Sequence, residues 1–146
     1  MVVGIDGSEQ SKTALRWAAR MLPVVDGHLE AVIAWEYPTS YGWSMAPPED
    51  WRPDLDADKV VQSVLDEVFG PDRPPGLAVK VRQGHPSTVL LEAAKDAAML
   101  VVGSRGHGGF AGLRLGSVST ACVQHAHCPV LVVHPDHASV KASTRR

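Results

Sequence analysis

The sequence predicts an α/β fold: an open, mainly parallel five-stranded sheet with helices on both faces, of the Rossmann-like kind. Three observations lead there. Short apolar runs alternate with segments of helical periodicity along the chain. Two of those runs, Val2 to Ile5 and Met99 to Val102, meet glycine or small polar residues just before a helix start. The 146 residues, 45% hydrophobic, suit one domain spanning 1–135, large enough to bury about 70% of the surface of its unfolded chain. Residues 136–146 read as a disordered tail.

Val2 to Ile5 forms the first strand and runs into Asp6-Gly7-Ser8, with Ser8 as a helix N-cap. Ala14, Leu15, Ala18, Ala19 and Leu22 then recur at helical spacing from Glu9 to Leu22, and Pro23 is expected to close that helix. Leu29 to Trp35 reads as the second strand. Tyr37 to Ala57, rich in Pro and aromatic residues without a sustained period, reads as a long loop. Val60, Val61, Val64, Leu65 and Val68 mark a second helix stopped at Gly70-Pro71. Leu77 to Val81 alternates as a strand should, after the turn Pro74-Pro75-Gly76. Pro86 suits the first position of a third helix, Ser87 to Ala97. Leu100 to Val102 is the fourth strand, Ser117 to Ala126 the fourth helix and Val130 to Val133 the fifth strand.

A net charge of −2 and a pI near 6.4, with Lys and Arg scattered apart from Arg145-Arg146, give no broad basic field and argue against nucleic acid as a partner. Cys122 and Cys128 suit small reduced thiols better than a disulfide framework. The opening Met1-Val-Val-Gly-Ile-Asp6 lacks a signal-peptide pattern, and no run approaches the ~18 apolar residues of a membrane span, so a cytoplasmic location without a membrane partner is expected.

The most informative segment is Gly103-Ser104-Arg105-Gly106, nine further residues, then Gly116-Ser117 leading into Val118. A strand that runs through a glycine-punctuated loop into a helix start builds an anion site, because helix-terminal N–H groups lack intrahelical partners and the dipole favours negative charge. The main-chain amides from Gly103 to Val118 are thus expected to clasp a polyphosphate. If the first and fourth strands are neighbours, Asp6 and Gly103 face one crevice.

Val-Gly-Ile-Asp6-Gly-Ser8, the Gly-x2-Gly-x9-Gly-Ser pattern from Gly103 to Ser117, and His125-Ala-x-Cys-Pro-Val130 together resemble the universal stress protein family, specifically its nucleotide-binding branch. The resemblance implies strand order 3-2-1-4-5, as in adenine nucleotide alpha hydrolase-like folds, and a homodimer paired through Val130 to Val133. It also implies ATP, with or without Mg²⁺, at the C-terminal strand edge and a part in stress survival. In that pattern Asp6 meets the adenosine, the backbone of Ala34 or Trp35 meets the adenine edge, and Gly103, Gly106, Gly116, Ser117 and Val118 wrap ribose and phosphates. The candidate ligand-binding residues are therefore Asp6, Gly7, Ser8, Ala34, Trp35, Gly103, Ser104, Arg105, Gly106, Gly116, Ser117 and Val118. Ala98-Met99 departs from the family's usual Ala-Asp, with an expected effect on a turn and not on the site.

Several weaker signals compete. Gly106-His-Gly108-Gly-Phe-Ala111 matches a dinucleotide fingerprint but has no acidic residue about 20 positions on, and a P-loop lysine is absent. Asp6 has an alternative role in capping the first helix beside Ser8. Arg105 and Arg114 either offset phosphate charge or stand solvated. His125, His127 and Cys128 are residue types that bind zinc, but a helix-end role for His125 is favoured over a metal site. Tyr41, Trp43 and Trp51 are read as a packed loop or a protein contact in preference to a lid. With no residues suited to drive phosphoryl transfer, no catalytic residue is assigned. The expected function is a nucleotide-gated regulatory module acting on an unknown protein partner. The alternatives are a slow ATP hydrolase or phosphotransferase, and a cyclic AMP-binding protein.

Overall fold

The computed structural model describes residues 1–25, 27–37, 49–106 and 115–135. Five strands and four helices alternate among them: β1 (Val2–Gly4), α1 (Glu9–Val25), β2 (Glu30–Trp35), α2 (Pro53–Phe69), β3 (Ala78–Gln83), α3 (Pro86–Ala93), β4 (Leu100–Gly103), α4 (Ser117–His125) and β5 (Val130–Val133). The strands form one sheet in the order β3-β2-β1-β4-β5. Every ladder is parallel; Val2 sits opposite Glu30 on one side and Leu100 on the other. Parallel neighbours need crossover connections, which is why a helix or a long segment separates each pair of consecutive strands.

Crossovers on both sides bury both faces of the sheet, and alternate residues of each strand feed separate cores. Val3, Ala31, Ile33 and Val101 pack with Ala14, Leu15 and Ala18 of α1 and Val61, Val64 and Leu65 of α2. Val2, Val32, Leu100 and Val102 pack with Val89 and Leu90 of α3 and Cys122 of α4. Lys12 of α1 bonds across to Glu67 of α2 and, within α1, to Glu9 at 2.8 Å. Those bonds, with Glu67 first, raise the Lys12 pKa, and Lys12 in turn lowers that of Glu9.

Three boundaries depart from the sequence expectation for identifiable reasons. Pro23 does not close α1, which continues to Val25. Proline in a final turn removes one N–H bond and leaves few bonds beyond it to disturb. The long loop ends early, because α2 begins at Pro53 and not near Val60. Pro53 at the first position and Asp54 and Asp56 in the first turn suit a helix start. The apolar period is thin there, with only Pro53 and Ala57 buried before Val61. The third helix stops at Ala93, and tight turns with Lys95 N–H to Glu92 C=O and Ala97 N–H to Ala94 C=O replace the expected last turn. The remaining ends shift by two residues or fewer. Met99 lies half-buried against the core, and its C=O accepts from Val2 N–H at 2.9 Å, so the departure at 98–99 falls in the turn before β4. The tail at 136–146 and the aromatics Tyr41 and Trp43 lie outside the described residues.

Both cysteines are free, Cys122 buried and Cys128 half-buried. Burial, with a smaller contribution from Cys128, pushes the Cys122 thiol from an ordinary 9.0 up to about 11. Below pH 9 the thiol is neutral whether the chain is folded or not. Above it the unfolded chain ionises first, so this group's contribution to stability is lost as pH rises through the 9-to-11 window. Cys122→Ala is therefore expected to flatten the alkaline limb of a stability-versus-pH profile measured by urea unfolding. The same method applied to Leu65→Ala, at a fully buried site, should show a loss of about 2–5 kcal/mol. Val24→Ala, where the side chain is 77% exposed, should change stability by less than about 0.5 kcal/mol.

Candidate functional site

The strand order reverses between β1 and β4: the chain leaves β1 toward β2 and β3, then crosses back to the other side of β1. Loops at the carboxyl ends of those two strands diverge and leave a crevice. On the β1 side, Gly7 has φ +84°, a left-handed conformation that glycine adopts without strain. The bend turns Asp6 back over the start of α1, where its Oδ1 accepts from the Ser8 N–H at 2.9 Å and from the Ser8 hydroxyl. The Ser8 Oγ accepts from Ser11 N–H at 3.2 Å, as an N-cap does. Asp6 therefore braces the capping residue, and the capping role weighed for it is shared with Ser8.

On the β4 side, Gly103 lies so close to α1 that a Cβ there would stand 2.9 Å from Gln10 Cβ and 3.2 Å from the Gln10 backbone carbon. This contact lets Gln10 Oε1 accept from the Ser104 hydroxyl at 2.9 Å and from Arg105 N–H at 2.7 Å. Ser104 N–H donates to Val133 C=O at 2.8 Å, and Ser104 C=O accepts from Gly116 N–H at 2.7 Å and from the Ser119 hydroxyl at 2.8 Å. Ser104, a sequence candidate for ligand contact, is a buried strut joining β5, α1 and α4.

Between these loops opens a cavity of about 430 Å³. Its wall includes Asp6, Ser8, Ala34, Gly103, Arg105, Gly106, Gly116, Ser117 and Val118 from the sequence candidates; Gly7, Trp35 and Ser104 lie outside it. Trp35 points to the other face of the sheet, where it packs with the α1–α2 core and meets Tyr37 edge-on, with ring centroids 5.4 Å apart. Trp51 continues that row at 5.7 Å from Tyr37 and donates to Asp56 at 3.3 Å, so it clamps the start of α2 and does not cover the cavity.

The wall has two chemical ends. One is aliphatic, from Val32, Ala34, Pro86, Leu90 and Val102; the other carries Asp6, Arg105 and the start of α4. The structure narrows the expected clasp of amides: Ser104, Arg105 and Gly116 N–H groups are consumed within the chain. Gly116 occupies the N-cap of α4 and offers no capping side chain, so the N–H groups of Ser117, Val118 and Ser119 have no partner among the described residues. Sequence reasoning missed Gln10 and Ser119, whose importance depends on contacts across the fold, and it placed Pro86 and Leu90 on a helix without locating them in this wall. Gly108, Gly109, Gly112 and Arg114 lie outside the described residues. His125 stands exposed in the last turn of α4, and no three His, Cys, Asp or Glu side chains group to hold a metal among the described residues. No described helix is long and apolar enough to cross a membrane.

Residues 1–134 match the Universal stress protein family. The chain belongs to that family. A universal stress protein of Mycolicibacterium smegmatis is 34% identical over 148 residues, an alignment that covers 93% of this chain and 48% of the relative. The chain spans about half the length of the curated relatives it matches. Among solved structures, the universal stress protein UspA from Lactobacillus plantarum superposes with a TM-score of 0.71 at 19% identity, covering 90% of this chain and 94% of that one. A universal stress protein in complex with cAMP gives 0.66 at 25% identity, covering 91% and 94%. The strand order implied by the family resemblance is the one observed.

For this universal stress protein domain, the packing at β4 predicts different tolerance at two glycines. Gly103→Ala, pressed against the Gln10 backbone, should cost about 1–3 kcal/mol in urea unfolding. At Gly116 the nearest atom to a new Cβ is Arg105 Cα at 3.5 Å, an ordinary contact, so Gly116→Ala should fold with near wild-type stability.

Proposed function

We propose that the domain binds an adenine nucleotide, ATP foremost, and acts as a nucleotide-gated regulatory module in a stress response. The observation that carries this is the pairing, in one cavity, of an aliphatic end with a helix start whose Ser117, Val118 and Ser119 amides lack partners among the described residues. An aliphatic slot suits a purine base; unpaired amides at a helix N-terminus suit phosphate oxygens. Asp6 at the polar end of the wall offers a carboxylate to ribose hydroxyls, and Arg105 supplies positive charge at the same end. A Mg²⁺ ion arriving with the nucleotide would be held mainly by phosphate and water oxygens. Gly106 to Gly116 contains five glycines, counting both ends, a composition with a high entropic cost of ordering, and is the segment through which occupancy would reach a protein partner.

Binding is favoured over turnover because Arg105 is the one cation in the wall among the described residues, and phosphoryl transfer needs denser positive charge on the γ-phosphate. Cyclic AMP is the second reading, favoured by the relative solved in complex with cAMP. A second copy of the domain is proposed to pair along β5, an edge strand whose outer side has no neighbour among the described residues.

Calorimetric titration with ATP and cyclic AMP tests the site. Gly116→Val places branched carbons beside the α4 amides and should weaken nucleotide binding at least about tenfold, or ~1.4 kcal/mol, in a folded protein. Wild-type affinity in that variant would refute the site. Mass spectrometry under non-denaturing conditions reads nucleotide and subunit number together, and incubation with Mg²⁺ and ATP against the same variant measures any hydrolysis.

A further inference from the structure

The peptide joining Ser104 to Arg105 is held at its two ends by two different helices. Its N–H donates to Gln10 Oε1 on α1 at 2.7 Å. Its C=O accepts from Gly116 N–H at 2.7 Å and from the Ser119 hydroxyl of α4 at 2.8 Å. The peptide is trans, and in a trans peptide N–H and C=O point in opposite directions. Aiming the N–H at α1 therefore aims the C=O at the start of α4. Turned the other way, the N–H would confront the Gly116 N–H, donor against donor. The same Gln10 oxygen also accepts from the Ser104 hydroxyl at 2.9 Å, so it holds the residue as well as the peptide.

We infer that Gln10, which lies outside the cavity wall, is a positioning residue for the anionic part of the ligand. It fixes the plane of the 104–105 peptide, which in turn fixes where the first turn of α4 presents its amides. The inference rests on the nucleotide-binding function proposed above. Loss of the Gln10 oxygen frees that peptide to rotate; its carbonyl then releases Gly116 and Ser119, and α4 loses the bonds that locate its start relative to β4. Only an acceptor oxygen is used, so a carboxylate at the same reach serves and a thioether of similar length does not.

The test compares wild type, Gln10→Met and Gln10→Glu in two measurements. Amide hydrogen exchange by NMR in the ligand-free protein reads the latch itself. In Gln10→Met the Arg105 and Gly116 amides should exchange at least about tenfold faster, and in Gln10→Glu both should stay within about threefold of wild type. Calorimetry reads the consequence: Gln10→Met should lose about tenfold in affinity for ATP and less than about twofold for adenosine, which has no phosphate to reach α4. Unchanged Gly116 exchange in Gln10→Met, or equal losses for ATP and adenosine, overturns the inference. If the wild type binds neither ligand, nucleotide binding and the ligand-positioning role fail together, whereas ATP binding with equal losses refutes the role of Gln10 alone.

Discussion

Parallel pairing of β1 with β4 constrains everything at the site. Neither strand follows the other in the chain, so the connection that joins β3 to β4 must cross the sheet and the loops at these two strand ends must part. The two ends nevertheless stand side by side, which brings Asp6 and Gly103 to one opening although 96 residues separate them. Gly103 then decides how close the parts come. Without a side chain, the end of β4 settles against the first turn of α1, and Gln10 reaches the main chain of the next two residues.

What the sequence reveals follows from how local each signal is. The apolar period of α1, the helix start at Pro86, and the strand at Leu100 and helix start at Ser117 on either side of the glycine segment are all local signals, and each appears in the structure where expected. The start of α2 is hidden because Leu55 stands exposed and only Pro53 and Ala57 are buried ahead of Val61. Gln10 carries no local mark, since its partners Ser104 and Arg105 are 94 and 95 residues away. The strand order came from family resemblance and not from any property of the strands themselves. Which amides remain open for a ligand was equally illegible, because that depends on which ones the folded chain has already used.

The sheet separates two kinds of work. On one face, α1 and α2 close over Val3, Ile33 and Val101, and the row Trp35, Tyr37 and Trp51 secures the entry to α2. On the other, Leu90 and Val102 border the cavity, whose wall carries no aromatic side chain among the described residues. Adjacent residues of β2 serve opposite sides: Ala34 borders the cavity and Trp35 packs away from it. A shift of one residue in the pairing of β2 would exchange them and close the slot with an indole.

At the mouth of α4 the polar surface is contributed by backbone, and every amino acid except proline supplies the same N–H there. Substitutions at 117 and 118 can therefore change size and polarity while the donor array stays as it is. Such a surface tolerates changes of side chain but not movement, so what it presents depends on a buried strut: the Ser104 carbonyl and the Ser119 hydroxyl, bonded to each other, hold the helix end in place.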